Sequence, residues 1–201
     1  MLGYAEQLEF LSQTVEEDFK NLKVGRSSGK SILLERFEST AQAVSDYYIE
    51  HTPSDGIPYW DTGAPGLDHL KNYLENPADP FNDHEPVDSS AAAIAAQGLL
   101  RYGMYLYGKG MKEESKKYFQ AGLTIAHTLF NEPYLSTDTN HQGLLLHTVY
   151  HRPNDWDYIP EGRKIPCGES CMWGDYHMRE LALYLKRLIS KSEPYFTFFH
   201  I

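Results

Sequence analysis

Five stretches of this chain repeat apolar residues at steps of three and four, and that period confines it to a helical fold. Leu8, Leu11, Val15, Phe19 and Leu22 form a stripe within residues 4–22. Leu33, Phe37, Ala41, Val44 and Tyr48 form a second within 32–51, which Pro53 and Gly56 close. The third follows Asp88-Ser89-Ser90 and runs through the alanine-rich residues 91–96 to Tyr107. Alanine favours helix and lets a neighbouring helix come close. The fourth spans 113–130, with Tyr118, Gly122, Ile125 and Leu129 on one side. The fifth spans 173–190, with Leu181, Tyr184, Leu185 and Leu188. No alternation of strand and helix interrupts them. The order is helix, helix, long loop, helix, helix, long loop, helix. It predicts an all-α hairpin array or toroid whose long loops gather at one rim.

The loops are residues 52–87 and 131–171, the second interrupted by Leu144-Leu145-Leu146. Loops this long inside a compact domain are uncommon and often functional. Trp60, Trp156 and Trp173 lie in or beside them, with many of the 15 tyrosines. Aromatic rings can stack on the C–H faces of sugars while their polar tips bond to hydroxyls. Arg152 offers a forked donor for a carboxylate. The same aromatics also suit plain rim packing, so both readings stand at this point.

Charge and composition narrow the partners. The 201 residues suit one domain with a sizeable core. The formal net charge of −10, with no basic stripe, excludes nucleic acid as an expected partner. No apolar run approaches the roughly 18 residues that span a membrane. The start, Met1-Leu2-Gly3-Tyr4-Ala5-Glu6, has neither a basic region nor an apolar core of a signal peptide. The two cysteines, Cys167 and Cys171, make no disulfide framework. These features predict a soluble cytoplasmic protein, unless an export signal has been lost with a missing N-terminal part.

Two motifs fail on spacing. Gly25-Arg26-Ser27-Ser28-Gly29-Lys30-Ser31 resembles a phosphate loop, but has three residues between its glycines where four are needed, and it follows a helical pattern. His141, His147, His151, His177, Cys167 and Cys171 could be gathered around zinc. The cysteines, however, are spaced C-x3-C, and His-x5-His does not share a helical face. Asp88 carries more information. At a helix start it serves either as an N-cap or as a carboxylic acid aimed into a cleft.

Five blocks occur in order: residues 55–61 (Asp-Gly-Ile-Pro-Tyr-Trp-Asp), 88–96 (Asp-Ser-Ser-Ala-Ala-Ala-Ile-Ala-Ala), 141–147 (His-Gln-Gly-Leu-Leu-Leu-His), 151–156 (His-Arg-Pro-Asn-Asp-Trp) and 172–177 (Met-Trp-Gly-Asp-Tyr-His). This series resembles the C-terminal half of the unsaturated glucuronyl hydrolases, glycoside hydrolase family 88. The resemblance covers roughly residues 40 to 190. It implies an (α/α)6 barrel and hydrolysis of oligosaccharides that carry a 4,5-unsaturated uronic acid at the non-reducing end. It implies no metal and no organic cofactor. By motif, Asp88 is the catalytic residue, and Gln142, Arg152, Trp156 and Trp60 bind the sugar. His141 and Asp175 are supporting candidates.

The departures carry expectations of their own. A second active-site Asp in a His-rich N-terminal block has no counterpart, and residues 62–85 exceed the family's usual link. Residues 1–201 are therefore expected to form a single, partial toroid, with 1–31 matching poorly. Such a half-barrel exposes inner helix faces and favours an oligomer. The alternative to an active hydrolase is a truncated, non-catalytic remnant that at most binds acidic sugars; a helical domain with no activity of its own is the third reading. A helix N-terminus lowers a carboxyl pKa. Unless Asp175 or Asp61 lies close to Asp88, Asp88 is expected to be ionised and mainly a cap.

Overall fold

The computed structural model describes residues 1–21, 23–24 and 27–190. Leu22, the Gly25-Arg26 part of the phosphate-loop look-alike, and the apolar tail Tyr195 to Ile201 lie outside them. Among the described residues, the helices are α1 (Leu2–Gln13), α2 (Gly29–Glu50), α3 (Ser89–Gly108), α4 (Lys112–Leu129) and α5 (Met172–Ser190). A two-residue antiparallel ribbon pairs β1 (Lys23–Val24) with β2 (Ser27–Ser28). No described helix is long and apolar enough to cross a membrane.

The small residues of α3 set the architecture. Ala92, Ala93, Ala95, Ala96, Gly98 and Gly103 are all buried. A methyl group at Gly103 would meet the Phe119 backbone nitrogen at 3.0 Å, and one at Gly98 would meet the Leu2 nitrogen at 2.9 Å. So α4 and α1 both approach α3 at backbone distance, and α5 also packs on α3. The α3–α4 hairpin turns at Gly110, which sits at φ +85°, a conformation glycine adopts without strain. Tyr118, Gly122, Ile125 and Leu129 of the predicted α4 stripe are all buried.

Two predicted boundaries move. The first helix ends at Gln13, well short of residue 22. Thr14 is extended and its hydroxyl bonds back to the Leu11 carbonyl. Glu16, Glu17 and Asp18 then open a short 3-10 turn, Glu16–Phe19. Three carboxylates suit a helix start and not a helix end. Val15, predicted for the core stripe, is 60% exposed. The second helix begins earlier than predicted, at Gly29, where the Lys30 ammonium bonds the Thr14 carbonyl at 2.6 Å.

Of the predicted α2 stripe only Ala41 is buried; Leu33, Phe37, Val44 and Tyr48 are half-buried. Phe37 and Tyr48 still pack against the core, and two matching polar clasps add to that hold. Glu38 accepts from Tyr105 at 3.1 Å and from Lys109 at 2.6 Å. Asp46 accepts from Tyr118 at 2.8 Å and from Lys117 at 2.7 Å.

Candidate active site

A short antiparallel bridge delivers Asp88 to the start of α3. The Asp88 N–H donates to the Pro58 carbonyl at 2.9 Å, and the Trp60 N–H donates to the Pro86 carbonyl at 3.0 Å. Tyr59 and Val87 form the bridge pair and are both buried. Side chains alternate across such a pair, so Trp60 and Asp88 fall on the opposite face, as diagonal neighbours. The first long loop thus brings two predicted site residues together.

Asp88 is the N-cap of α3, and all of its acceptor contacts fall on one oxygen. Oδ1 accepts from the Ser90 hydroxyl at 2.6 Å, the Ser90 N–H at 3.0 Å, the Ala91 N–H at 3.3 Å and the Val149 N–H at 3.4 Å. Oδ2 takes no hydrogen bond among the described residues. Burial pushes the carboxyl above its ordinary value of 3.8, and the hydrogen bonds pull it down without cancelling that push. The expected cap is present, while the shift runs opposite to the direction expected from the helix dipole. The donors do favour the carboxylate, yet loss of solvent outweighs them.

The Ser90 hydroxyl also receives the Trp173 indole N–H at 3.1 Å, from the first turn of α5. Trp173 stacks on Tyr150, with ring centroids 5.3 Å apart. Tyr150 in turn lies 6.0 Å from Trp156, and His151 lies 4.8 Å from Trp156. Tyr150 and Trp156 are 55% and 62% exposed. A run of aromatic rings therefore leads from the solvent-facing rim to the hydroxyl that touches Asp88. Sequence reasoning placed Trp156 and Trp173 at the rim but missed Ser90 and Tyr150. Ser90 had one visible signal, a hydroxyl two residues after an Asp cap.

Asp175 does not stand in for a second acid. Its Oδ1 accepts from Leu144 N–H and Leu145 N–H, each at 2.9 Å, and its Oδ2 accepts from Leu144 N–H at 3.0 Å. It fastens the segment carrying His141 and Gln142 to the first turn of α5. Asp61 is exposed and closes its own turn through the Gly63 N–H at 2.7 Å. Neither residue is spent on Asp88.

The remaining candidates are placed as follows. Gln142 is exposed. The ring of His141 accepts from the Gly143 N–H at 3.0 Å, and His141 lines a cavity of about 390 Å³ with Phe81, Asp138 and His147. Arg152 opens a three-residue 3-10 turn and pairs with Asp155 at 3.2 Å. The Trp60 indole N–H donates to Glu85 at 2.7 Å, and Glu85 also accepts the Gly66 N–H at 2.8 Å. His147 is buried and accepts from Gly168 N–H at 3.1 Å. Burial, then the Arg163 charge, holds its pKa down at about 4. Among the described residues, no group of three or more His, Cys, Asp or Glu side chains is arranged to hold a metal.

No family model matches the chain. An unsaturated glucuronyl hydrolase of Formosa agariphila is 30% identical over 162 residues, which is 78% of this chain and 32% of that protein. The crystal structure of the Bacillus sp. GL1 unsaturated glucuronyl hydrolase, responsible for degradation of glycosaminoglycan, is 26% identical. It superposes with a TM-score of 0.57 over 80% of this chain and 36% of its own. A UGL variant paired with dGlcA-Glc-Rha-Glc matches with the same identity, TM-score and coverage. The chain spans about a third of the length of these relatives. The resemblance read from the five blocks therefore stands, and the all-α architecture is of the α/α-barrel type.

Proposed function

We propose that this relative of the unsaturated glucuronyl hydrolases cleaves oligosaccharides ending in a 4,5-unsaturated uronic acid, with Asp88 as acid and base. The observation that carries the reading is the uneven use of the Asp88 carboxyl. Four contacts hold Oδ1 and none among the described residues occupies Oδ2, while burial raises the pKa. An acid that works near neutral pH needs that upward shift.

In the proposed reaction, the proton leaves Oδ2 for C4 of the vinyl ether, and positive charge develops at C5. Water adds at C5 and returns a proton to Oδ2, so the carboxyl is regenerated. The hemiketal at C5 collapses to a ketone as the ring oxygen departs. C1 is then a hemiacetal and expels the leaving sugar. Trp60 and Trp156 offer ring faces to the sugar, Gln142 bonds its hydroxyls, and Arg152 answers its carboxylate.

The second reading, a non-catalytic binder of acidic sugars, has its own support. Both Asp175 and Asp61 are committed elsewhere, so neither supplies a second acid beside Asp88. One experiment separates the two. The ultraviolet absorbance of an unsaturated disaccharide is followed with wild-type protein and with Asp88→Asn. Loss of absorbance with the wild type alone supports the hydrolase. Binding by both proteins without any loss of absorbance overturns it in favour of the binder.

A further inference from the structure

We propose that the cavity beside His147 is a second binding site, which takes a neutral pyranose ring through the one hydrogen-bond donor that His147 keeps free. The proposal does not rest on any role of Asp88 in the reaction. The cavity measures about 390 Å³, within the roughly 300–1,000 Å³ of small-ligand sites. Three separate stretches wall it: Phe81 from the first long loop, Leu135 and Ser136 from the residues after α4, and Leu146, His147 and Gly168 from the second long loop. Asp88, Tyr150, Arg152 and Trp156 are not among the described residues that line it.

His147 is 3% exposed, and its Nδ1 accepts the Gly168 N–H at 3.1 Å. Burial, then the Arg163 charge, keeps the ring neutral at pH 7. Its single ring hydrogen is therefore on Nε2. No described residue accepts that hydrogen. The ring is packed edge-on to Phe81 and Tyr134, with centroids 5.0 and 5.7 Å away. Its backbone sits at φ +63°, a left-handed conformation that residues other than glycine adopt rarely. Bonds on both sides pin it there. Leu146 N–H donates to the Tyr134 carbonyl at 2.8 Å, Thr148 N–H to the Glu169 carbonyl at 3.0 Å, and the His147 carbonyl accepts from Ser89 N–H at 3.1 Å. Ser136 adds a second polar atom on the same wall, since its Oγ is buried and has no partner among the described residues. Buried polar atoms are nearly always paired, so two open ones around one cavity point to a guest that pairs them.

The lining selects the class of guest. Phe81, Leu135 and Leu146 give apolar walls, and Arg163 fixes the Phe81 wall by lying 5.0 Å over its ring and donating to its carbonyl at 3.1 Å. Glu132 and Asp138 stand exposed at the rim. Glu132 holds the Thr137 hydroxyl and Asp138 holds Asn140, each through one oxygen, and their other oxygens are open among the described residues. The cavity thus offers a donor inside, acceptors at the mouth and apolar sides. A sugar hydroxyl both donates and accepts, and the C–H faces of a pyranose match the walls. An acidic ligand would face two carboxylates, and a purely apolar one would leave the His147 N–H unpaired.

The test titrates the full chain with methyl glucoside, methyl galactoside and methyl N-acetylglucosaminide, and with glucuronate as the acidic comparison, while amide NMR signals are followed. The Gly168 amide reports the site, because it donates to His147. At least one neutral sugar is expected to shift it saturably, with a dissociation constant of about 1–10 mM. Glucuronate is expected to bind about fivefold more weakly at low salt, with the gap closing as salt is raised. His147→Phe keeps a ring between Phe81 and Tyr134, removes the donor and is expected to weaken binding about tenfold. Ser136→Ala is expected to weaken it about threefold without lowering the melting temperature, since the hydroxyl has no partner to lose. Arg152→Ala is expected to leave it unchanged. The site is overturned if no neutral sugar gives a saturable shift, or if His147→Phe binds as the wild type does. Loss of the shift in Arg152→Ala would place the sugar at the rim and overturn it as well, and tighter binding of glucuronate would overturn the class. Should His147→Phe fail to fold, undiminished binding by Ser136→Ala decides against the site. Turnover of an unsaturated disaccharide plays no part in any of these readouts.

Discussion

Asp88 and Asp175 stand at the starts of neighbouring helices, and they are used in opposite ways. Asp175 spends both oxygens on backbone N–H groups of Leu144 and Leu145. It staples a loop to α5. Asp88 concentrates four contacts on Oδ1 and leaves Oδ2 uncommitted among the described residues. The residue type and the local position are nearly the same, so neither decides the role. What decides it is whether the surrounding donors saturate the carboxylate or stop halfway. A saturated carboxylate is a structural part, and a half-saturated one in a poorly solvated place can move a proton.

The largest expected effect tests this contrast at its functional end. Asp88→Asn keeps an oxygen for the α3 cap and removes the proton, so turnover of an unsaturated disaccharide should fall by about 10²–10⁴-fold. Residual turnover close to that of the wild type would break the contrast outright. Next comes the structural end. Asp175→Ala leaves the Leu144 and Leu145 N–H groups without their acceptor and is expected to cost about 2–4 kcal/mol in a urea melt. Loss of turnover at unchanged stability would move Asp175 into the chemistry.

The third prediction concerns the pH dependence of stability at Asp88. Burial raises the pKa of Asp88 above 3.8, so the folded state binds its proton more tightly than the unfolded chain does. The stability cost of the charged group is absent well below pH 3.8, grows as pH rises to the folded-state pKa, and is constant above it. Asp88→Asn should therefore melt higher than wild type at pH 7, with the gain vanishing on acidification. Thermal melts from pH 3 to 8 read this, and a lower melting temperature at pH 7 would contradict it. The smallest effect belongs to the rim. Arg152 pairs with Asp155, whose side chain is 85% exposed, and such pairs contribute at most about 1 kcal/mol. Arg152→Ala should leave the melt nearly unmoved while weakening binding of an acidic disaccharide. Equal binding by both proteins would remove Arg152 from the site.

The contrast also shows what could be read from the sequence. All five helices were legible, because a stripe such as Tyr118, Gly122, Ile125 and Leu129 has one way to be buried. Helix ends were less so. The stripe through Val15 and Phe19 continues the period, but Thr14 turns the backbone away. Asp88 and Trp60 were legible as a pair of blocks, and a bridge between their segments brings them to one face. The role of Asp175 was not legible, because its partners lie about 30 residues away and are backbone atoms without a residue signature. The same holds for Trp173 and Ser90, 83 residues apart. Local patterns report periods and caps; they do not report which distant donor will complete a carboxylate.

Glu85 has a consequence for anyone re-engineering this fold. Its two oxygens hold the Trp60 indole and the Gly66 N–H, and it is buried at the far end of the extended segment 62–85. A methyl group at Gly66 would lie 2.6 Å from Glu85 Oε1. The Glu85 carboxylate therefore ties the far end of the segment back to its start. Deleting the segment to shorten the loop would also delete the anchor of Trp60. A loop graft at this position has to carry a replacement acceptor, or the tryptophan it was meant to spare goes with it.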